Sequence, residues 1–546
     1  MKPVLTLFAA LLLALLLSVR SEADDLRGMY PIRLPRPGSL DMATRIDLKR
    51  SMEMAGDNLL ANLDPTKDYL PNWEALPGKD GSVKVASSWH SHNLGRWWDA
   101  MLRLERATGY RVPTNAEAAM RENLQRFFDN PDHLCLEPLS APDAQGPLDM
   151  HSLREGLLAL HALVRYRDSG WAREKGHAMC QSLLRLTRDD GSWVLEQFAP
   201  QRRGGGNPAP DPTNHGRLIE ALVWFYQATG DAEALRAADR FARYHLAYAT
   251  TPDGAMGPRP GNHTHSYLGT LRGLLLFGEL TDQRNYVDTV AATYERTVRA
   301  LMKKSGFISH DLKQDRTGET TSPGDAAQLA LWLAARHGRT KYFDDVERIV
   351  RARLIPCQIT EVSGLKRAED APLLLGALGG MYKEPHGCKM ATTDITAAVL
   401  HSLVDVYQHV ATTDAAGLRI NFHFDYEDQR VRIVSRREKL ARVTILPKEK
   451  QNILVRIPRW TPRDSVSVTV GGKPYQPLII GDYILVPRER FPEEIVVSYA
   501  LPVSTQIEPT DGVDYAITWR GDEVMGIRPN SSHLPFYPDL APTKQQ

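Results

Sequence analysis

The chain has 546 residues, of which 42% are hydrophobic, and a formal net charge of +1, so it is long enough for two or three domains. The near-neutral balance, without a long basic run, excludes nucleic acid and anionic membrane surfaces as main partners. Four cysteines are too few and too scattered for a disulfide framework, and no Cys-x-x-Cys pair indicates a thiolate zinc site of the usual spacing.

The first predicted element is a secretory signal peptide over residues 1–23. A basic second residue precedes an apolar run from Val4 to Leu17, and small residues surround the expected cleavage point after Ala23. The run is too short to span a membrane comfortably, and no later stretch reaches its length. We therefore expect a secreted or periplasmic protein with no membrane contact after cleavage.

From residue 24 to about residue 412 the hydrophobic period is helical. One unit recurs every 50 to 60 residues or so: a polar segment before the helix (its opener), an apolar helix, a turn and a more charged helix. Examples of the turn are ATGYRVP (107–113) and ATGDAEA (228–234). Such a repeat indicates stacked helical hairpins. Six apolar helices alternate with amphipathic ones, and an all-round apolar helix must be buried whereas a striped one can face water. This predicts an all-α (α/α)6 barrel, a six-hairpin toroid, over 24–412. An open solenoid is the alternative, but the capping repeats that it would need are not evident.

From residue 413 onward the pattern changes to short alternating or β-branched runs. Segments such as QRVRIVS, ARVTILP and EEIVVSYA are separated by Gly, Pro, Asp and Asn. These features predict an antiparallel β-sandwich domain over 413–546, including a C-terminal tail. The tail, from about Asp511, is rich in Pro and aromatic residues, and its place in the sandwich is not evident from the sequence.

The openers of the six apolar helices contain several histidines. In a ring of hairpins the inner helices run the same way, so their N-termini converge on one mouth. Asn, Asp, Ser and Thr in these openers are ordinary N-caps, but histidine is not a favoured cap. For any single histidine a structural role is the alternative; for the set, a polar pocket for a neutral polyhydroxylated ligand is favoured. The predicted carbohydrate-binding residues are Trp89, His90, His92, His151, His215, His263 and His265.

Two stretches near the mouth hold candidate catalytic side chains. Glycosidases need a proton donor and a nucleophile or base beside the bond that they cleave. Asp311 lies just upstream of KQDRTGETTSPGD, which contains Glu319, while KEPHGCKMATTD contains Glu384 and Cys388. Next to His386, the cysteine could be a thiolate activated by a helix N-terminus. The alternatives are solvated loop charges for the carboxylates and a small buried apolar residue for the cysteine.

Several segments, in chain order, resemble the β-L-arabinofuranosidase family, glycoside hydrolase family 127 and its relatives. HGRLIEALVWFYQATGD is similar to the family's GHLIEA helix, GNHTHSYLGTLRGLLLFGELT to its GHAVRA helix, and NILVRIPRW to its LRIPGW strand. The resemblance implies an exported glycoside hydrolase that acts on plant or algal glycans, with carbohydrate as its partner. It matches His215 and His263 to the family's two His-bearing openers.

The chain departs from this family at the zinc site. In the family, a Glu-x-Cys segment and a Cys-Cys pair hold zinc, and one Cys of the pair is the nucleophile. Glu319 matches the Glu, but Thr321 stands where the first ligand Cys would be, and Cys388 alone remains of the pair. The family's acid/base Glu has no counterpart at its position, and the nearest substitutes are His310 and Asp311. We therefore predict no bound metal or cofactor, and a conventional two-carboxylate mechanism in which the cysteine is an alternative nucleophile.

Two other functions are compatible with the sequence. A polysaccharide lyase or uronyl hydrolase would need a base, such as His215 or Tyr267, and a cation for the uronate, such as Arg202, Arg203 or Arg217. A degenerate homologue would bind glycan without turnover, which would fit the missing cysteines. Helical toroids can host all three functions, so the fold alone does not choose among them. The sequence specifies neither the sugar and its linkage nor the oligomeric state.

Overall fold

The structure is a computed structural model that describes residues 39–40, 42–87, 90–137, 150–194, 216–314, 317–382, 385–388, 390–531 and 534–539. The predicted signal peptide lies outside the described residues, and so do three of the predicted site residues: Trp89, His215 and Glu384. The roles assigned to them stay predictions.

Twelve α-helices, alternately outer and inner, lie in the described part of the first domain. The outer helices are α1 (Leu48–Ala61), α3 (Thr114–Phe128), α5 (Gly170–Arg185), α7 (Ala232–Tyr248), α9 (Arg284–Thr293, continued by a π-helical turn over Tyr294–Val298 and by Arg299–Leu301) and α11 (Tyr342–Ile349, continued by a π-helical turn over Val350–Leu354). The inner helices are α2 (His90–Thr108), α4 (Met150–Arg167), α6 (Leu218–Thr229), α8 (Thr264–Leu280), α10 (Thr321–His337) and α12 (Thr393–Gln408).

The inner helices form a ring. Each packs against the next one along the chain, and α12 packs back against α2. The sequence explains which helices lie inside: in α8 every residue from Thr264 to Gly278 is buried, whereas α7 buries only a stripe that includes Ala234, Ala238 and Phe241. The prediction of a six-hairpin α/α toroid is confirmed. No described helix is long and apolar enough to cross a membrane.

Short strands connect the loops of the toroid: β1 (Leu63–Asp64), β2 (Leu70–Pro71), β3 (Glu74–Pro77), β4 (Val83–Ala86), β5 (Gly318–Glu319), β6 (Met381–Tyr382), β7 (Gly387–Cys388) and β8 (Ala391–Thr392). Strand β5 pairs with β6, and β3 pairs with both β4 and β8. These pairings fix the loops that precede the last two inner helices.

The second domain contains β9 (Ala411–Asp414), β10 (Gly417–Ile420), β11 (Tyr426–Glu427), β12 (Val431–Arg437), β13 (Leu440–Pro447), β14 (Ile453–Arg456), β15 (Ser467–Val470), β16 (Lys473–Pro474), β17 (Leu478–Ile480), β18 (Tyr483–Val486), β19 (Ile495–Ala500), β20 (Val503–Thr510), β21 (Val513–Arg520), β22 (Glu523–Arg528) and β23 (Leu534–Pro535). A five-stranded sheet has the order β17-β18-β14-β10-β9, and a six-stranded sheet has the order β11-β12-β13-β19-β15-β16.

The two large sheets bury alternate residues in a shared core, as the sandwich prediction requires. In β12 the residues alternate between buried and more exposed, and Ile433 lies opposite Ile445 of β13. The named strands of this domain pair antiparallel, except for β10 and β14, which run parallel with Leu418 opposite Ile453. A third sheet, β20-β21-β22, follows the sandwich.

The C-terminal segment, which the sequence analysis could not place, returns to the toroid. Leu534 of β23 pairs with Cys388 of β7, and the Tyr537 hydroxyl donates to the backbone oxygen of Ala352 at 2.5 Å. Trp519 and other aromatic residues of the segment join a second apolar core with residues from the toroid. The tail therefore closes the junction between the two domains.

A buried charge cluster also joins the domains. Glu347 of α11 lies 3.0 Å from Arg351, 3.5 Å from Arg437 of β12, and contacts Arg456 of β14. Burial alone would raise the pKa of Glu347, but these guanidinium groups hold it well below its usual range. Because the carboxylate is wholly enclosed, both domains are needed to satisfy it.

Candidate active site

Five aromatic rings cross the mouth of the toroid in a row. Trp73 and His92 have ring centroids 5.7 Å apart, His92 and His151 are 5.3 Å apart, His151 and His263 are 5.7 Å apart, and His263 and His310 are 4.5 Å apart. The rings come from the loop between β2 and β3, from α2 and α4, from the opener of α8, and from the loop before β5. The convergence of separate openers is therefore as predicted, and the row suits the face and edge of a sugar.

The polar residues of the openers do not act as caps where the structure shows the helix start. His263, Thr320 and Thr392 precede α8, α10 and α12 without a side-chain hydrogen bond to the helix. By contrast, the outer helices α1, α5 and α7 begin with true side-chain caps, such as Asp231 on α7. Side-chain caps thus occur on three of the six outer helices, and the openers of α8, α10 and α12 do not support the ordinary N-cap interpretation.

Below the rings, four buried arginines and four buried carboxylates fill the axis of the toroid. They will be called the floor: Arg96, Arg154, Arg217, Arg272, Glu155, Glu220, Asp325 and Asp394. Glu155 accepts hydrogen bonds from Arg154 at 2.8 Å and Arg217 at 3.0 Å, and lies 3.1 Å from Arg96. Burial would raise the pKa of Glu155, but these arginines hold it well below its usual range.

The floor continues through the other acids. Glu220 accepts from Arg154 and from Arg272, each at 2.9 Å, and Arg272 also lies 2.9 Å from Asp325. Asp394, at the start of α12, lies 2.9 Å from Arg96 and 3.0 Å from Nε2 of His92. Four guanidinium groups thus face four carboxylates, and the floor has no surplus cation.

His265 is hydrogen-bonded to three residues of the floor. Its Nε2 accepts hydrogen bonds from Arg96 and Arg217, so its Nδ1 carries the proton and donates it to Asp325. Burial and the nearby Arg217 hold the pKa of His265 well below its usual range, which keeps the ring neutral. The sequence predicts that His265 binds a sugar directly. In the structure both of its nitrogens are engaged and 3% of its surface is exposed, so it orients the two arginines instead.

Asp325 is the one floor acid with a pKa raised to a value near neutrality. Burial raises it to about 6, although Arg272 and Arg96 act in the opposite direction. The pKa of Arg217 is shifted in the opposite direction, because burial and the neighbouring Arg154 lower it to about 9. The Nε and Nη1 atoms of Arg217 are buried and have no hydrogen-bond partner among the described residues.

Glu319 lies at the edge of the ring row. Its Oε1 is 3.2 Å from Nε2 of His263, whose Nδ1 is 2.9 Å from the Ser266 hydroxyl. Burial would raise the pKa of Glu319, but His263, His310 and the Thr321 hydroxyl together hold it well below its usual range. Glu319 is therefore an ionised carboxylate with 6% of its surface exposed.

Asp311 lies beside this pair. Its backbone forms an antiparallel bridge with His263, in which Thr264 donates to the oxygen of His310 at 2.8 Å and Leu312 donates to that of Asn262 at 2.7 Å. Residues opposite each other in such a non-hydrogen-bonded pair carry their side chains close together on one face. Asp311 and Glu319 thus both lie next to His263, Asp311 through its backbone and Glu319 through its side chain.

Cys388 lies elsewhere. It is 1% exposed in the second apolar core, where burial, followed by the neighbouring Cys357, raises its pKa to about 12. His386 is equally enclosed, with its ring 4.6 Å from that of Tyr515. A buried neutral thiol is a poor nucleophile and a poor metal ligand, so the geometry supports the alternative interpretation of Cys388 as a small apolar residue. All four cysteines are buried, and no two of them form a disulfide.

The residues present do not fit the zinc site of the family that the sequence resembles. Thr321 offers a hydroxyl to Glu319 where that design has a thiolate, and Cys357 and Cys388 lie in an apolar core with raised pKa values. No reaction step is therefore assigned to a thiolate-bound metal.

His90 marks the outer side of the mouth. Its Nδ1 lies 2.8 Å from Glu137 and its Nε2 2.9 Å from the Ser87 hydroxyl. Glu137 also accepts hydrogen bonds from the backbone amides of His90 and Ser91, so it anchors the start of α2. Nothing in the sequence indicates this role of Glu137, because a Glu in a Pro-rich loop has no neighbouring pattern that distinguishes it from a solvated charge.

The far end of the axis is filled. Arg103 lies 2.9 Å from Asp99 and 4.5 Å above the ring of Trp224, and Asp405 accepts from the Trp332 indole at 3.1 Å. The floor and this second layer make the axis of the toroid a packed core and not a channel.

Glu155→Gln tests the floor. Glutamine keeps the shape but removes the charge that three guanidinium groups share, and breaking a buried ion pair costs about 3–5 kcal/mol of unfolding free energy. Scanning calorimetry should show that loss. Glu438→Gln, which breaks an exposed pair with Arg436, should change stability by less than about 0.5 kcal/mol. Equal, small effects of the two substitutions would contradict the structural role of the floor.

Comparison with known proteins shows the fold. No protein-family model and no curated protein matches the sequence. Among solved structures, a GH127 β-arabinofuranosidase superposes with a TM-score of 0.56 at 14% identity, over 91% of this chain and 85% of its own. A protein described as a glycoside hydrolase gives 0.55 at 13% identity, over 91% and 83%.

The GH127 β-L-arabinofuranosidase Ara127N of Geobacillus stearothermophilus T6 gives a TM-score of 0.51 at 12% identity, over 80% of this chain and 76% of its own. The similarity covers both the toroid and most of the sandwich. The chain therefore has the fold of the GH127 β-arabinofuranosidases.

Proposed function

We propose that this chain is a glycoside hydrolase and that the mouth of the toroid is its active site, where it binds neutral sugars of plant or algal glycans. The observation that carries the proposal is an ionised, nearly buried Glu319 at the edge of a row of imidazole rings, above a charge-balanced floor. The shared fold with two GH127 β-arabinofuranosidases supports the same class of reaction and makes arabinofuranosides the first substrates to try.

The chemistry of the mouth favours a neutral sugar over a uronate. A uronate would need a cation that is not already neutralised, and the four arginines of the floor each face a carboxylate. The imidazole of His151 and the face of Trp73 are groups that bind hydroxyls and sugar rings. Burial and the nearby Arg217 hold the pKa of His151 well below its usual range, so it binds as a neutral ring.

The two carboxylates beside His263 have complementary roles in the proposal. Because the pKa of Glu319 is held low, this group acts in its ionised form and cannot be the proton donor. Asp311 is half-buried and its backbone bridges that of His263, and we assign to it the protonation of the leaving oxygen. A glycosidase needs one group of each kind.

The lyase alternative receives no support from the described residues. Tyr267, one of its candidate bases, is fully buried inside α8, where burial raises its pKa well above the ordinary value. Arg217, one of its candidate cations, donates to Glu155 and to His265. Measurements of turnover and of glycan affinity separate hydrolysis from glycan binding without turnover.

Glu319→Gln tests the proposal on a panel of aryl glycosides that includes β-L-arabinofuranosides. The substitution removes the charge and keeps the shape, so kcat/KM should fall about 100-fold or more. Cys388→Ser should keep nearly all activity, because the thiol lies in the apolar core. Loss of activity in Cys388→Ser with retention in Glu319→Gln would mean that the cysteine is the nucleophile.

The same assay identifies the proton donor. In Asp311→Asn, hydrolysis of a substrate with a poor leaving group should fall much more than that of an activated aryl glycoside, since only the former needs protonation. Glu438→Gln is the matched control and should change neither. Absence of turnover by the wild-type chain on every substrate, with measurable affinity for glycans, would support the binding homologue instead.

We also propose that the chain is exported, on the basis of its basic start, apolar run and small residues before Asp24. Expression of the full chain in a bacterial host, followed by fractionation and N-terminal sequencing, should recover periplasmic or secreted protein that begins at Asp24. Intact N-termini in the cytoplasmic fraction would contradict the proposal.

A further inference from the structure

We infer that His263, His310 and Glu319 form a binding site for a divalent transition-metal ion such as Zn²⁺, at the edge of the sugar-binding mouth. The inference deepens the proposed function and rests on it only in placing the ion next to the substrate. The binding itself can be measured without turnover. The donor set, two imidazoles and one carboxylate, differs from the thiolate set of the family that the sequence resembles.

The geometry of the three side chains carries the inference. One ligand atom from each residue lies within 4.8 Å of the other two. The Nε2 of His263 and the Oε1 of Glu319 are 3.2 Å apart. Two ligands at about 2.0–2.1 Å from a tetrahedral zinc ion are separated by about 3.3 Å. The spacing of this pair, which is also that of a hydrogen bond, is therefore compatible with two ligands of one ion.

The backbone holds the three residues together. His263 and Asp311 face each other in the antiparallel bridge beside α8, which places His310 next to the opener. The amide of His310 donates to the oxygen of Thr317 at 2.7 Å, and β5, which contains Glu319, pairs with β6. The ligands thus lie on one small hydrogen-bonded frame, and no loop closure is needed to assemble the site.

A neighbouring hydroxyl orients one of the ligands, as metal sites require. The Nδ1 of His263 lies 2.9 Å from the Ser266 hydroxyl, so this nitrogen is occupied and Nε2 faces Glu319. Such a supporting hydrogen bond fixes the ring before the ion binds.

The charges at the mouth are also compatible with a bound cation. Each carboxylate of the floor has at least one guanidinium partner, whereas no Lys or Arg among the described residues forms an ion pair with Glu319. A carboxylate that is 6% exposed is stabilised by pairing or by metal coordination. The two imidazoles beside it are the ligands that zinc and its neighbours in the periodic table prefer, and calcium and magnesium do not.

Three protein ligands leave a fourth position open. In catalytic zinc sites that position is taken by water or by the substrate. Here it would lie toward the mouth, where a sugar hydroxyl can reach it. The inference therefore assigns Glu319 the role of a metal ligand within the active site, in place of the role that the two-carboxylate mechanism gives it.

Equilibrium dialysis of the full chain against Zn²⁺, after removal of metals with a chelator, tests the inference directly. Wild-type protein should bind one equivalent, measured by elemental analysis. His310→Ala and Glu319→Gln should each weaken Zn²⁺ binding by about 100-fold or more. His90→Ala, which removes a mouth histidine outside the set, should keep the full equivalent. Co²⁺ in place of Zn²⁺ should give a visible absorption band that disappears in His310→Ala.

Failure of this inference and failure of the proposed function give different results. No stoichiometric Zn²⁺ in the wild type, or equal Zn²⁺ in His310→Ala, would overturn the metal site even if the chain hydrolyses glycosides. One equivalent of Zn²⁺ that depends on His310 and Glu319, in a chain without turnover, would support the site and contradict the glycosidase proposal. Circular dichroism of each variant confirms that it is folded.

Discussion

The ion pairs along the axis of the toroid are the interaction on which the rest of the structure depends. Six helices that meet at one axis would leave either a channel or an apolar plug, and this chain fills the space with arginines and carboxylates. A buried charge is tolerated only when it is fully paired, so each helix must present its charged residue at the right height. Glu155 illustrates the requirement, since it joins guanidinium groups from three different inner-helix segments.

This floor also determines what the mouth can bind. Because its charges cancel, the electrostatic character of the mouth is set by the residues above it, namely the row of rings and the ionised Glu319. His265 contacts both levels, because its ring centroid lies 5.7 Å from that of His263 and its Nε2 accepts hydrogen bonds from Arg96 and Arg217. The two arginines are thus held in place by this ring. A toroid with a cationic floor would select anionic sugars instead.

The architecture could be predicted from the sequence because it follows from periodicity. Buried inner helices, striped outer helices and alternating strands leave patterns that depend on neighbouring residues alone. The convergence of the histidine openers followed from the same reasoning. His263 was identified in this way, and Glu319 as a loop carboxylate that matches the Glu of the family's Glu-x-Cys segment. The structure brings the two side chains into contact.

Other features depend on contacts between distant parts of the chain and leave no such pattern. Trp73 reaches the mouth from a loop before the first inner helix, and nothing in its neighbours indicates that. Arg96 and Glu155 look like ordinary charges on amphipathic helices until the ring closes around them. Cys388 precedes an inner helix as a mouth residue would, but its strand pairs with Leu534 from the tail and turns the thiol into the apolar core.

The most direct test of the account is hydrogen–deuterium exchange of the full chain with and without saturating L-arabinose, with D-glucuronate in parallel. The account predicts that L-arabinose slows exchange in the first turns of α2, α4, α8 and α12 and in the segment around His310 and Glu319. It predicts no change in the sandwich, and little effect of D-glucuronate. Protection by D-glucuronate at the mouth, or protection by L-arabinose confined to the sandwich, would contradict a neutral-sugar site above a charge-balanced floor.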